Sequence, residues 1–140
     1  MDPLGLVDIN LFPSNEAIRG YADKVPSNPS TFQVGAHGNP GLIVDEQGKV
    51  VSAKELAAMI NRSPSYQAGK IVELLSCNTG KGNFPYAQAL ADELGADVHA
   101  PDQYMWYYSD GRTVPMGMTA DGKMDHGQLG TVRIFKPAKK

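Results

Sequence analysis

The chain has 140 residues, of which 41% are hydrophobic and 20% charged, and its net charge is −2 at pH 7. This length and composition predict a single soluble domain with a buried core, and the charge gives no polybasic surface for nucleic acid or anionic lipid. No apolar run reaches the roughly 20 residues that span a bilayer. No signal peptide is recognisable at the N-terminus, so secretion by that route is not expected.

The first 30 residues have the least regular pattern. Residues 6–12 alternate in part and predict an edge strand, and residues 14–21 predict a short helix with Ser14 as its N-cap. A loop over 26–30 then precedes a strand over about 31–36.

The middle of the chain is typical of a strand-helix-strand unit. Residues 42–51 predict a hairpin that turns at Gln47-Gly48. Ser52 and Glu55 have the spacing of a capping box, which predicts a helix that starts at about residue 53 and stops before Pro64. The next strand is predicted over 70–76. Because nearly all such crossovers are right-handed, the two strands should be parallel neighbours in one sheet.

The second half adds another helix and further strands. The helix is predicted over 85–94, with Phe84 facing inward and Gly95 as its C-terminal stop. Strands are predicted over 96–100, 104–108, 113–118 and 131–135, with turns at Asp110-Gly111 and Asp121-Gly122. The expected fold is a compact three-layer α/β domain with a mainly parallel sheet.

Two of the predicted strands end in a residue with a reactive side chain. His37-Gly38 follows the strand over 31–36, and Cys77, the sole cysteine, follows the strand over 70–76. Functional sites of open α/β sheets lie outside the carboxyl ends of the strands, so we expect both side chains at one edge. A thiol beside an imidazole suits nucleophilic acyl transfer, and a helix N-terminus near Cys77 would also favour its thiolate. The amides of Gly38 and Cys77 are candidate oxyanion donors.

Other interpretations of these residues stay open. A lone cysteine at a strand end is often a small buried hydrophobe, and a histidine in a glycine-rich turn is often a surface residue. Their joint placement favours catalysis. His99 could neighbour the site on a third strand, whereas His126 lies in a late loop. One cysteine and three scattered histidines lack metal-ligand spacing, and no glycine run matches a phosphate-binding fingerprint, so neither a metal nor a cofactor is expected.

A family resemblance rests on the run from His37-Gly38 through residues 52–56 to Glu73–Gly80. This run resembles the caspase-hemoglobinase superfold of cysteine peptidases, most closely the CHAT branch. The resemblance implies Cys77 as the nucleophile, His37 as the acid that protonates the leaving amine, and the Gly38 and Cys77 amides as oxyanion donors. Asn78 stands where an acidic residue is common in that branch.

A second resemblance concerns the first residues. Asp2–Leu6 is similar to the motif that ends the core of Rhs-repeat proteins, directly before their variable C-terminal toxin domains. It implies that residues 1–6 end an Rhs core and that residues 7–140 form one peptidase-like toxin domain. Such an effector is carried inside an Rhs shell, cleaved after Leu6, delivered for example by type VI secretion, and neutralised in the producer by an immunity protein.

The resulting expectation is a secreted cysteine endopeptidase toxin that cleaves a protein in the cytoplasm of the target cell, without nucleic acid or membrane as a partner. A Cys-His deamidase or transamidase and a catalytically inactive binding domain are the alternatives. Asp102 and Trp106 are the candidate substrate-binding residues, because residues 102–108 should return along the same sheet edge. A carboxylate at the pocket floor would favour Lys or Arg before the cleaved bond, although a solvated loop aspartate and core aromatics explain these residues equally well.

Overall fold

A computed structural model describes residues 7–26 and 28–138 of the chain. The helices are α1 (Ala17–Ala22), α2 (Ala53–Arg62) and α3 (Tyr86–Leu94). The strands are β1 (Ile9–Asn10), β2 (Thr31–Gly35), β3 (His37–Asn39), β4 (Leu42–Val44), β5 (Val50–Val51), β6 (Ile71–Leu75), β7 (Val98–Pro101), β8 (Tyr104–Tyr107), β9 (Thr113–Met118), β10 (Met124–Leu129) and β11 (Val132–Phe135). The Asp2–Leu6 motif lies outside the described residues.

A five-stranded central sheet organises the domain, with the strand order β1-β2-β6-β7-β11. The first four strands are parallel, and β11 pairs antiparallel with β7. Two antiparallel three-stranded sheets, β3-β4-β5 and β10-β9-β8, accompany it. The chain is therefore an α/β domain with a mostly parallel central sheet, and the predicted parallel pairing of β2 with β6 is confirmed.

Helices α2 and α3 cover one face of the central sheet, because alternate residues of β2 and β6 supply an apolar surface there. Phe32 and Val34 of β2 and Val72 and Leu74 of β6 are essentially fully buried in this core. The predicted capping box begins α2: the Ser52 hydroxyl accepts from the Glu55 amide at 3.0 Å, and Glu55 Oε1 accepts from the Ser52 amide at 2.9 Å.

The opposite face of the sheet carries a second, smaller apolar cluster. It contains these buried residues: Val7, Phe12, Ala22, Val25, Leu75 and Met105. Helix α1 and strand β8 lie together on this side of the sheet. We call this group the Phe12 cluster, and it forms the floor of the site described below.

Most predicted elements are confirmed within a residue or two of their predicted ends, but two details were wrong. Helix α1 begins at Ala17, and its N-cap position is held by Glu16, whose side chain makes no capping bond, rather than by Ser14. Phe84, predicted to face inward, is 68% exposed, because α3 starts at Tyr86 and leaves this ring on the preceding turn.

The sequence pattern also missed two strands. The glycine-rich turn expected at His37 is instead strand β3, which pairs with β4 so that the hairpin becomes a three-stranded sheet. Residues Met124–Leu129 form β10, which is largely exposed and polar. Without a buried face these residues lack the alternation of apolar and polar positions that marks a strand.

Substitution of Gly80 by alanine tests the packing behind the Cys77 turn. A Cβ at Gly80 would lie 2.5 Å from the Ala100 carbonyl oxygen, whereas a Cβ at Gly20 in α1 meets nothing within 4 Å. We expect Gly80→Ala to lower the free energy of unfolding by about 1–3 kcal/mol. Gly20→Ala should raise it by about 0.5–1 kcal/mol, because alanine favours the helix. Urea unfolding followed by circular dichroism measures both, and equal stability of the two variants would contradict the packing.

Candidate functional site

The register of the central sheet relates His37 to Cys77. Gly35 of β2 lies opposite Leu75 of β6, and each candidate residue comes two positions later in its own chain segment. Because side chains alternate along a strand, both should point to the face that carries Leu75. The contacts agree, since the His37 ring meets Phe12 edge-on at 4.9 Å and Cys77 packs against the Phe12 cluster. The structure thus brings both residues to one face at the carboxyl edge.

The two segments remain side by side beyond these residues. A Cβ at Gly38 would lie 3.0 Å from Cγ2 of Thr79 and 3.2 Å from Cγ2 of Ile43. The absence of a side chain at Gly38 therefore lets the backbone after His37 run against the turn after Cys77.

The turn that carries Cys77 is held in a strained conformation. Asn78 has φ 59°, and it is the only non-glycine residue with positive φ in the described part of the chain. Its amide donates to the Gln103 carbonyl at 2.9 Å, which ties the turn to the segment between β7 and β8. Ser76 Oγ and Asn78 Oδ1 are buried without a hydrogen-bond partner. Strain and unpaired polar atoms cluster at functional sites, because a fold under selection for stability alone avoids them.

The Cys77 thiol lies in a mainly apolar environment. Its Sγ accepts a weak hydrogen bond from the Met105 amide at 3.4 Å. Burial raises the pKa of this thiol, and the backbone amides of Met105 and Cys77 oppose the increase only in part. The thiol is therefore protonated at neutral pH in the free protein. Helix α3 starts at Tyr86, and its Ala87 amide donates to the Thr79 carbonyl at 3.0 Å, so its N-terminus adjoins the turn two residues after Cys77.

His37 has a partner that the sequence did not suggest. Its Nε2 lies 2.5 Å from Oε1 of Glu16, and both side chains are 43% exposed. Within the described residues no hydrogen bond joins His37 to Cys77. Glu16 precedes a short helix far from His37 in the sequence, so only the packing of α1 beside β3 could reveal the pair.

Aromatic side chains complete the wall beside the thiol. The Tyr107 ring packs edge-on against Phe12 at 5.4 Å, and its hydroxyl donates to the Leu75 carbonyl at 2.5 Å. Burial raises the pKa of Tyr107 well above its ordinary value. Phe12 thus lies between Tyr107 and His37, and it contributes to a floor on which the imidazole rests.

The two candidate substrate-binding residues, Asp102 and Trp106, form hydrogen bonds with strands or loops of the second half of the chain. Both carboxylate oxygens of Asp102 accept from Thr131, one from its amide and one from its hydroxyl, each at 2.8 Å. Trp106 alternates with Met105 and Tyr107 along β8, so it faces away from the Phe12 cluster, and its indole donates to the Met116 carbonyl at 2.9 Å. Both side chains thus make hydrogen bonds within their own part of the fold.

The remaining histidines are separate from the edge. His99 pairs with Glu73 in the sheet register, which puts it two positions before the level of Leu75. His126 lies on exposed β10. Over 7–26 and 28–138, no three His, Cys, Asp or Glu side chains are grouped to hold a metal ion. In the same ranges, no helix is long and apolar enough to cross a membrane.

Comparison with known proteins assigns the chain to a family. Residues 7–115 match a family described as a domain of unknown function (DUF8616). The chain belongs to this family. It is also 42% identical over 87 residues to the uncharacterized protein YibJ of Escherichia coli (strain K12), an alignment that covers 62% of this chain and only 37% of YibJ. No solved structure matches the chain. The segment that defines the family includes both His37 and Cys77.

Titration of the thiol tests the environment of Cys77. Because burial raises its pKa, we expect thiolate to form above the pH of about 8.5 at which free cysteine titrates. The folded protein binds the thiol proton more tightly than the unfolded chain does. The stability from this difference is full below the unfolded-state pKa of the thiol and is lost as pH rises through its folded-state pKa. The difference in ultraviolet absorbance between the wild type and Cys77→Ser isolates the thiolate from the tyrosines. A midpoint below that of free cysteine would contradict the burial of the thiol.

Proposed function

We propose that the protein is a cysteine peptidase in which Cys77 is the nucleophile and His37 moves its proton. The observation that carries this proposal is the equivalent position of the two residues on neighbouring parallel strands, with both side chains against the Phe12 cluster. Sites of open α/β sheets occupy this edge. The strained turn at Asn78 adds support, because such conformations are retained where function requires them.

The raised pKa of the thiol determines the form of the first step. Because Cys77 is protonated at rest, His37 takes the thiol proton as Sγ bonds to the substrate carbonyl carbon, and the carbonyl π electrons move onto oxygen. His37 then returns this proton to the leaving amine as the carbon–nitrogen bond breaks and a thioester remains. Water then attacks the thioester carbon and gives a proton to His37. The carbon–sulfur bond breaks, the carboxylic acid leaves, and His37 returns the proton to the sulfur of Cys77.

The amides of Gly38 and Cys77 are proposed as oxyanion donors in this step. Gly38 is close-packed against Thr79, so its backbone lies next to the Cys77 turn. Donors fixed before the reaction stabilise the developing charge without a cost of reorganisation.

The wider proposal is a caspase-like, three-layer toxin domain of an Rhs-type effector. The order of parallel strands and crossover helices, with His37 and Cys77 following adjacent strands, supports the caspase-like part. The Rhs part is supported by the Asp2–Leu6 sequence motif alone. The proposed partners are a protein substrate in the cytoplasm of the target cell and an immunity protein in the producer.

Expression in bacteria tests the proposal directly. Wild-type protein should impair growth and produce new N-termini in the proteome, and both effects should be lost in Cys77→Ala and His37→Ala. His126→Ala is the matched control, because this histidine lies on exposed β10, and it should behave as the wild type. Circular dichroism confirms that each variant is folded.

The outcomes separate the alternative functions. If target proteins carry deamidated or cross-linked glutamine that depends on Cys77 and no new N-termini appear, the protein is a deamidase or transamidase and not a peptidase. Growth inhibition by folded Cys77→Ala would overturn catalysis and favour a binding domain.

A further inference from the structure

We propose that Glu16 is a positioning residue that fixes the tautomer of His37, so that Nδ1 is the ring nitrogen that serves Cys77. The inference rests on the proposed function. Nε2 of His37 lies 2.5 Å from Oε1 of Glu16. This contact occupies one nitrogen of the imidazole, so Nδ1 is the nitrogen proposed to take the thiol proton. Because a carboxylate only accepts, the proton of the neutral ring resides on Nε2 and the lone pair on Nδ1.

Glu16 has no competing role in its own helix. It occupies the N-cap position of α1, yet its side chain makes no capping hydrogen bond. Glutamate is not among the residues that cap helix N-termini well, so capping does not explain this side chain. An exposed ion pair adds little to stability, and we therefore assign the contact a positioning role.

The structure holds both members of this pair in place. Arg19 of α1 donates to the Phe12 carbonyl at 2.7 Å, which fixes the segment that leads to Glu16. The Phe12 ring lies edge-on against the imidazole at an interplanar angle of 82°. His37 is thus held by a ring on one side and by a carboxylate at Nε2.

The ionisable groups around this edge are few among the described residues. Glu16 contacts the imidazole. Arg19, which lies about one turn after Glu16 in α1, forms an ion pair with Glu46. Cys77 and Tyr107 flank Phe12 from the turn after β6 and from β8. Glu16 is the carboxylate in hydrogen-bonding contact with His37, so its effect can be separated from that of Glu46.

Alkylation of Cys77 by iodoacetamide tests the inference without a known substrate. Sγ bonds to the methylene carbon, iodide leaves, and the thiol proton passes to His37 Nδ1 near neutral pH. The sole cysteine makes the rate unambiguous. His37→Ala and Glu16→Gln should each react severalfold more slowly than the wild type at neutral pH. All variants should react alike well above the thiol pKa, where the thiolate needs no base. Glu46→Gln, the matched control, should follow the wild type at both pH values.

Each result has one meaning. Equal neutral rates for His37→Ala and the wild type would overturn the proposed dyad and, with it, the positioning role. A slow His37→Ala with a normal Glu16→Gln would overturn the role of Glu16 alone. A Glu16→Gln variant that is slow at both pH values would indicate a general structural effect and would overturn the positioning role. A Glu16→Gln variant that is no slower than Glu46→Gln at neutral pH would overturn that role as well.

Nitrogen NMR of the histidine ring supplies a second readout. In protein labelled with ¹⁵N-histidine, the neutral ring of His37 should carry its proton on Nε2, and Glu16→Gln should shift the tautomer population towards Nδ1–H. His37→Ala assigns the signal. A wild-type ring protonated on Nδ1 would overturn the inference even if the alkylation rates agreed with it.

Discussion

The parallel pairing of β2 with β6 is the constraint on which the site depends. Its register sets Gly35 opposite Leu75, and neighbouring strands lie about 4.8 Å apart. Two residues beyond this level, the side chains of His37 and Cys77 lie on the same face of the sheet. Gly35 itself leaves space, because a Cβ there would lie 3.0 Å from the Phe12 ring and 3.3 Å from the Tyr107 hydroxyl. The aromatic floor under His37 therefore requires a glycine at this point of the strand.

The surroundings of Cys77 combine a rigid frame with local strain. Hydrogen bonds from Asn78 and Gly80 to the carbonyls of Gln103 and Pro101 fix the turn to the end of β7 and to the segment that follows it. This frame keeps Asn78 at positive φ and keeps two side-chain oxygens buried without partners. Each such feature costs about 1–3 kcal/mol, which the large core on the other face of the sheet offsets. Burial also raises the pKa of the thiol, so the proposed reaction needs a base, which is the role proposed for His37.

Several elements could be predicted because their signals are local. The Ser52-Glu55 spacing predicts the start of α2, and Gly95 at φ 67° ends α3 as expected. The apolar runs of β2 and β6 predict strands buried on both faces, and the right-handed crossover then makes them parallel neighbours. The placement of His37 and Cys77 after these strands follows from the same information. The exposed polar strand β10 has no comparable signal, because it packs few side chains.

By itself, the sequence determined the strand-helix-strand core and the edge at which His37 and Cys77 lie, since periodicity, capping and chain handedness act over short distances. Only the tertiary structure decided what surrounds them. The contact of Glu16 with His37, the burial that raises the pKa of Cys77, and the pairing of Asp102 with Thr131 join segments that are distant in the chain. Such contacts depend on how α1, β8 and β11 pack against the sheet, and no local pattern encodes that packing.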